Sequence, residues 1–106
     1  MSTRATIKFT SEHLSFYVYR HCDGHPEHVI EDIDKTLRES QSRWDTSNVE
    51  KLVTLFLSMH YDYRRSRVPT YEITSDFHGD DSYEYYVEFD EDKKRWTVRI
   101  GRQPCE

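Results

Sequence analysis

Three histidines each stand two residues before an aspartate: His21-x-Asp23, His60-x-Asp62 and His78-x-Asp80. An imidazole beside a carboxylate makes an oriented general base, and two such pairs brought together can hold a divalent metal and activate water. On that reading His21, Asp23, His78 and Asp80 are the catalytic set of a small metal-assisted hydrolase or nuclease. The same residues also have a plainer role. Asp23-Gly24 and Gly79-Asp80 are turn chemistry, because Asp and Gly accept dihedrals that other residues avoid, while His60 and Asp62 fall at a helix end. The turn role has the greater weight. Around the first pair, Cys22, His25 and His28 have side chains of the kind zinc prefers. Their spacing is loose and Pro26 starts a helix between them, so the run reads as turn and cap, and neither metal nor cofactor is assigned.

A different chemistry comes from rings and charge. Tyr17, Tyr19 and His21 alternate along one strand face, and Tyr86 points away from the core-facing set of its own strand. With Arg4 and Arg20 they make an aromatic, partly cationic platform of the kind that anchors a protein partner or stacks a base. Connecting loops or a second copy of the chain, as a homodimer, would equally cover such rings. Between Arg67 and Lys93 there is no Lys or Arg, whereas Glu72, Asp76, Asp80, Asp81, Glu84, Glu88, Asp90, Glu91 and Asp92 all fall there. That acidic stretch can imitate nucleic acid toward a basic partner, or can simply be solvated hairpin charge.

The composition narrows the classes. The 106 residues suffice for a single core, so one domain over 1–106 is expected. Mean hydropathy is low at -0.95, but eight Tyr, five Phe and two Trp let few residues bury much area. A net charge of -5 argues against nucleic acid as partner, since phosphate contacts need a basic field. Met1 to Thr10 has no apolar signal region and no run is long enough to span a bilayer, so a cytoplasmic location and no membrane partner are expected. In that setting Cys22 and Cys105 are expected to be reduced.

These side chains need elements to position them. Period-two alternation predicts strands at Ala5 to Phe9, Leu14 to His21, Tyr71 to Ser75, Tyr83 to Phe89 and Arg95 to Gly101. Helical spacing of Val29, Ile30, Ile33 and Leu37 predicts a helix from Pro26 to Glu39, with Ser40 to Thr46 as connector. Ser47 and Glu50 have capping-box spacing, and Val49, Leu52, Val53, Phe56, Met59 and Tyr63 form a broad stripe for a second, central helix. Arg64, Arg65 and Arg67 suit its end, and Pro69 stops it. In the last hairpin Glu84 and Glu88 are expected to meet Arg95 and Arg99. The fold class is α+β: a mainly antiparallel sheet of about five strands in the order ββααβββ, with both helices on one face.

The opening M-S-T-R-A-T-I-K-F, the run Tyr17-Val18-Tyr19-Arg20-His21-Cys22-Asp23-Gly24-His25-Pro26-Glu27, and His78-Gly79-Asp80 leading into Tyr83-Glu84-Tyr85 carry a resemblance. The chain resembles small uncharacterised bacterial and phage proteins with an M-S-T-R-A strand, a Tyr-x-His-x-Asp-Gly-x-Pro-Glu turn and a downstream His-Gly-Asp. The resemblance spans most of the chain and implies a phage or prophage setting; in that family the positions of Cys22 and His25 are usually aromatic. The expected function is therefore a non-enzymatic binding protein that engages a host protein or small ligand, with an anti-defence role as one form of it. Its expected binding residues are Arg4, Tyr17, Tyr19, His21, Tyr86, Asp80, Asp81, Glu84 and Glu88, with the metal-assisted hydrolase as the alternative.

Overall fold

The computed structural model describes residues 3–12, 14–43, 47–61 and 69–104. Its elements are β1 (Ala5–Ser11), β2 (Leu14–Arg20), α1 (Pro26–Arg43), α2 (Val49–His60), β3 (Tyr71–Thr74), β4 (Tyr83–Asp90) and β5 (Arg95–Arg102). This is the α+β order read from the sequence. The strands form a single sheet in the order β3-β2-β1-β4-β5. Pairs β1/β2 and β4/β5 are antiparallel, as their short loops dictate, and β2/β3, joined through both helices, is antiparallel too, but β1 and β4 at the centre are parallel. The sheet is thus mixed. No short loop joins β1 to β4, so nothing local in the sequence reports their direction.

Register fixes what each face carries. Ile7 lies opposite Val18 and Tyr85, and Phe9 opposite Phe16 and Val87, so these apolar residues share one side. The helices cover that side: α2 lies on β1, β2 and β3, with α1 beside it. Phe56 of α2 is fully buried, with its ring edge-on to Phe9 at 5.3 Å and to Tyr71 at 4.7 Å. A few large rings close the core, which is how so polar a chain folds.

Three local readings shift. The α1 helix continues through Ser40 to Arg43, because Val29, Ile33, Thr36 and Ser40 keep one buried stripe and Arg43 pairs with Glu39 at 2.6 Å. The α2 cap is Asn48, whose side chain accepts from Lys51 N–H at 2.9 Å, and not Ser47. The helix ends at His60; Tyr63, Arg64, Arg65 and Arg67 lie outside the described residues, as do Asp62 and Cys105. The third shift is in the β4/β5 hairpin. Arg99 pairs with Glu88 at 3.0 Å as expected, but Glu84 meets Arg102 at 3.9 Å, and Arg95 lies opposite Asp90. The hairpin register itself sets Arg95 against Asp90, whereas a bulge moves Glu84: Tyr85 faces Ile100 while Glu84 faces Arg102, leaving Gly101 as the extra residue. A side chain at Gly101 would fall inside the Tyr86 ring, so only glycine lets that ring lie on β5.

The link between β3 and β4 matters most for function. β3 is an edge strand, and two strands, β2 and β1, lie between it and β4. Residues 75–82 therefore cross the sheet, and they cross the face opposite the helices. Phe77 packs on Tyr17 of β2 at 5.2 Å and on Tyr86 of β4 at 5.6 Å, while His78 N–H donates to Thr6 Oγ1 of β1 at 3.5 Å. The segment is a strap laid over the aromatic face.

Candidate functional site

β2 ends at the same end of the sheet where β1, β3 and β4 begin, so residues distant in sequence meet there. On the strapped face the centre is Tyr19, which is 2% exposed. His78 stacks on its ring at 3.7 Å, and His21 meets the ring edge-on at 4.8 Å. The phenol donates to Asp80 Oδ1 at 3.1 Å, and Arg4 donates to Asp80 Oδ2 at 3.0 Å. Beside them His21 Nε2 bonds Glu72 of β3, and His78 Nε2 bonds the Thr74 hydroxyl at 2.9 Å. Burial and the neighbouring Asp80 carboxylate push the Tyr19 phenol up to about 12, so it stays a neutral donor under all ordinary conditions.

The rim differs from the centre. Side chains of Arg4, His21, Glu72, His78 and Asp80 are 38 to 50% exposed, a ring of half-wet polar groups around a dry tyrosine. Tyr17 and Tyr86 are half-buried under Phe77, and Arg99 lies over the Tyr86 ring at 4.0 Å. The strap is thus the cover that the sequence left open between loop and second copy. Arg20 does not join this platform: strand alternation turns it to the helix side. Glu84 and Glu88 line the strapped face with their basic partners on β5, whereas Asp81 is buried at 3% exposure.

Of the catalytic set drawn from the sequence, His21, His78 and Asp80 gather around Tyr19. Asp23 holds the turn after β2 with φ 57° and forms no hydrogen bond or ion pair with them. Each gathered group already has a partner. Among the described residues no three His, Cys, Asp or Glu side chains are grouped to hold a metal ion. Cys22 is an exposed free thiol, His25 leans on Tyr83 at 5.7 Å, and His28 faces Glu27 at 3.6 Å.

The helix side carries a second polar set that sequence reasoning missed. Arg20 Nη1 lies 3.3 Å from Asp32 Oδ2 and donates to the Tyr71 hydroxyl at 2.8 Å, which in turn donates to Asp32 Oδ2 at 2.8 Å. His60 Nδ1 faces Asp32 Oδ1 at 3.6 Å, and its Nε2 bonds the Thr36 hydroxyl at 2.9 Å. Hydroxyl, imidazole and carboxylate line up in the order of a nucleophile, base and acid. Thr36, however, is 1% exposed and gives its proton to the Asp32 carbonyl at 2.8 Å, so a substrate has no approach. The set ties β2 and β3 to both helices. Burial holds the His60 imidazolium form down, against the pull of Asp32, and burial pushes the Tyr71 phenol far up. Its readable signal was Arg20, a charge at the core phase of the Phe16-Val18 alternation.

No membrane-crossing helix exists among the described residues. No family model, curated protein or solved structure matches the chain, so the site's meaning comes from its own geometry.

Proposed function

We propose that this chain is a non-enzymatic binding protein and that the strapped sheet face is where it holds a protein partner. The observation that carries the reading is the half-exposed rim of Arg4, His21, Glu72, His78 and Asp80 around buried Tyr19. Groups of both signs, prepaired and held by a dry centre, give a partner orientation and register without large rearrangement. The acidic groups Glu84 and Glu88 extend the face toward β5, where Arg99 and Arg102 balance them. A mixed field of this kind fits a protein surface better than a polyanion. With the phage-like resemblance, the partner is a bacterial host protein.

The metal-assisted hydrolase remains the second reading, favoured by the meeting of His21, His78 and Asp80 around one ring. It asks those groups to leave their present partners for a metal. The binding reading asks for no such exchange.

Capture from bacterial lysate by the wild-type chain, beside Arg4→Glu, His21→Ala and Tyr17→Ala, tests the proposal. Partner loss in these three, with retention by Lys51→Glu on the outer face of α2, is the expected result. A partner kept by all three face variants would overturn it, and metal-dependent hydrolysis lost in His21→Ala and Asp80→Asn would favour the second reading.

A further inference from the structure

Asp81, in the strap, is 3% exposed, and neither of its carboxylate oxygens meets a hydrogen-bond donor among the described residues. A carboxylate shielded from water and left without a donor is among the least favourable groups a fold can contain. Within hydrogen-bond reach stands Glu84, at the start of β4 and opposite Thr6 on the strapped face. Two ionised carboxylates only accept and repel, so the contact is favourable only when a proton lies in it.

We propose that Glu84 keeps its proton and donates it to Asp81, and that this acid–carboxylate hydrogen bond is a pH-sensitive clasp holding the 75–82 strap over the aromatic face. Burial, the charge of Asp81 and the hydrogen bond itself all raise the Glu84 pKa, in that order, with Arg102 of β5 opposing at 3.9 Å. The other groups facing the clasp are accounted for. Arg4, before β1, is committed to Asp80 of the strap at 3.0 Å, and Tyr19 of β2 donates to the same Asp80. His78 offers its backbone carbonyl to Asp81 N–H at 3.4 Å, and Thr6 of β1 is neutral.

The chemistry fixes the sign. In the closed state the Glu84 pKa lies above the value it has when the strap is open and wet. The clasp's contribution is therefore complete below the open value, about 4.3 for a glutamate in water, and is lost as pH rises through the closed value. Between those two values opening becomes easier by up to about tenfold per pH unit, and above the closed value it no longer changes. Opening would lift Phe77 and His78 from Tyr17, Tyr86 and Tyr19 and enlarge the face offered to a partner. That consequence rests on the proposed binding face, whereas the clasp itself does not.

The test needs no partner. Amide hydrogen exchange at Asp81 and Ser82, corrected for the intrinsic pH dependence, is measured from pH 5 to 8 on the full chain and on Glu84→Gln and Asp81→Asn. Each amide supplies a permanent donor, so both variants should hold protection flat while the wild type loses it with rising pH. A carbon-13 titration of the wild-type Glu84 carboxyl, with a midpoint above the ordinary glutamate value of about 4.3, decides the matter should a variant not fold. An ordinary Glu84 midpoint, a variant as pH-dependent as wild type, or protection restored at pH 8 by Mg²⁺ or Ca²⁺ alone would overturn the clasp. A failed clasp leaves the rim variants' result untouched, and a partner kept by all three face variants beside an intact Glu84 titration removes the binding face alone.

Discussion

At the scale of single residues, the molecule's chemistry is set by two neighbours on β2 that point opposite ways. Tyr19 centres the strapped face, and Arg20 centres the buried set with Asp32, Tyr71, His60 and Thr36. Asp32→Ala should destabilise the fold by about 3 kcal/mol in urea unfolding, because it strands Arg20, whose side chain is only 11% exposed. Tyr19→Phe removes just the hydroxyl that serves Asp80 and should cost about 1 kcal/mol by the same measurement. A larger loss from Tyr19→Phe than from Asp32→Ala would invert the account. His60 makes the set respond to pH. Its folded pKa lies below the ordinary value of about 6.5, so the neutral form's stabilisation is complete above about 6.5 and is lost as pH falls below it. Wild type minus His60→Gln, compared by urea midpoint at pH 7.5 and 5.5, should therefore shrink at the lower pH; a difference that grows would contradict burial as the cause. In the sequence, the alternation of Tyr17, Tyr19 and His21 was legible because strand period alone sets it. The partners of Arg20 were not, because Asp32, His60 and Tyr71 come from three other elements whose packing no local pattern encodes.

At the scale of elements, the strands and helices were readable wherever side-chain period and burial agree. The α1 extension escaped because Thr36 and Ser40 hold buried positions in its stripe, where an apolar pattern looks for leucine or valine. The Glu84 and Arg102 pairing escaped because a bulge shifts register by one residue, and a lone glycine is its only trace. Gly101 is accordingly a sensitive position. Gly101→Val should cost about 2 kcal/mol by displacing the Tyr86 ring, and should loosen Phe77 of the strap with it, visible as increased exchange in 75–82. Full stability in Gly101→Val would mean that the ring does not lie on β5. The parallel β1/β4 pair is the deeper omission, since it depends on the whole path of the chain through two helices and an edge strand.

At the scale of the whole molecule, the two sides of the sheet have separate work. Helices bury one side around Phe56, while an eight-residue link without helix or strand covers the other. That link is held by ring contacts, the Arg4–Asp80 ion pair, the hydrogen bonds with Tyr19 and Thr6 and the acid pair, so it should open more readily than the core it covers. The aromatic and acidic residues singled out in the sequence largely meet on this strapped side, and the acidic run is tempered there by Arg4, Arg99 and Arg102. Hydrogen–deuterium exchange on the chain alone and on the chain bound to its captured host protein tests the central claim most directly. Protection gathered in 15–21 and 72–88, with α1 and α2 unchanged, is the predicted footprint. Protection confined to 26–43 and 49–60 would contradict it and move the binding surface to the helical side.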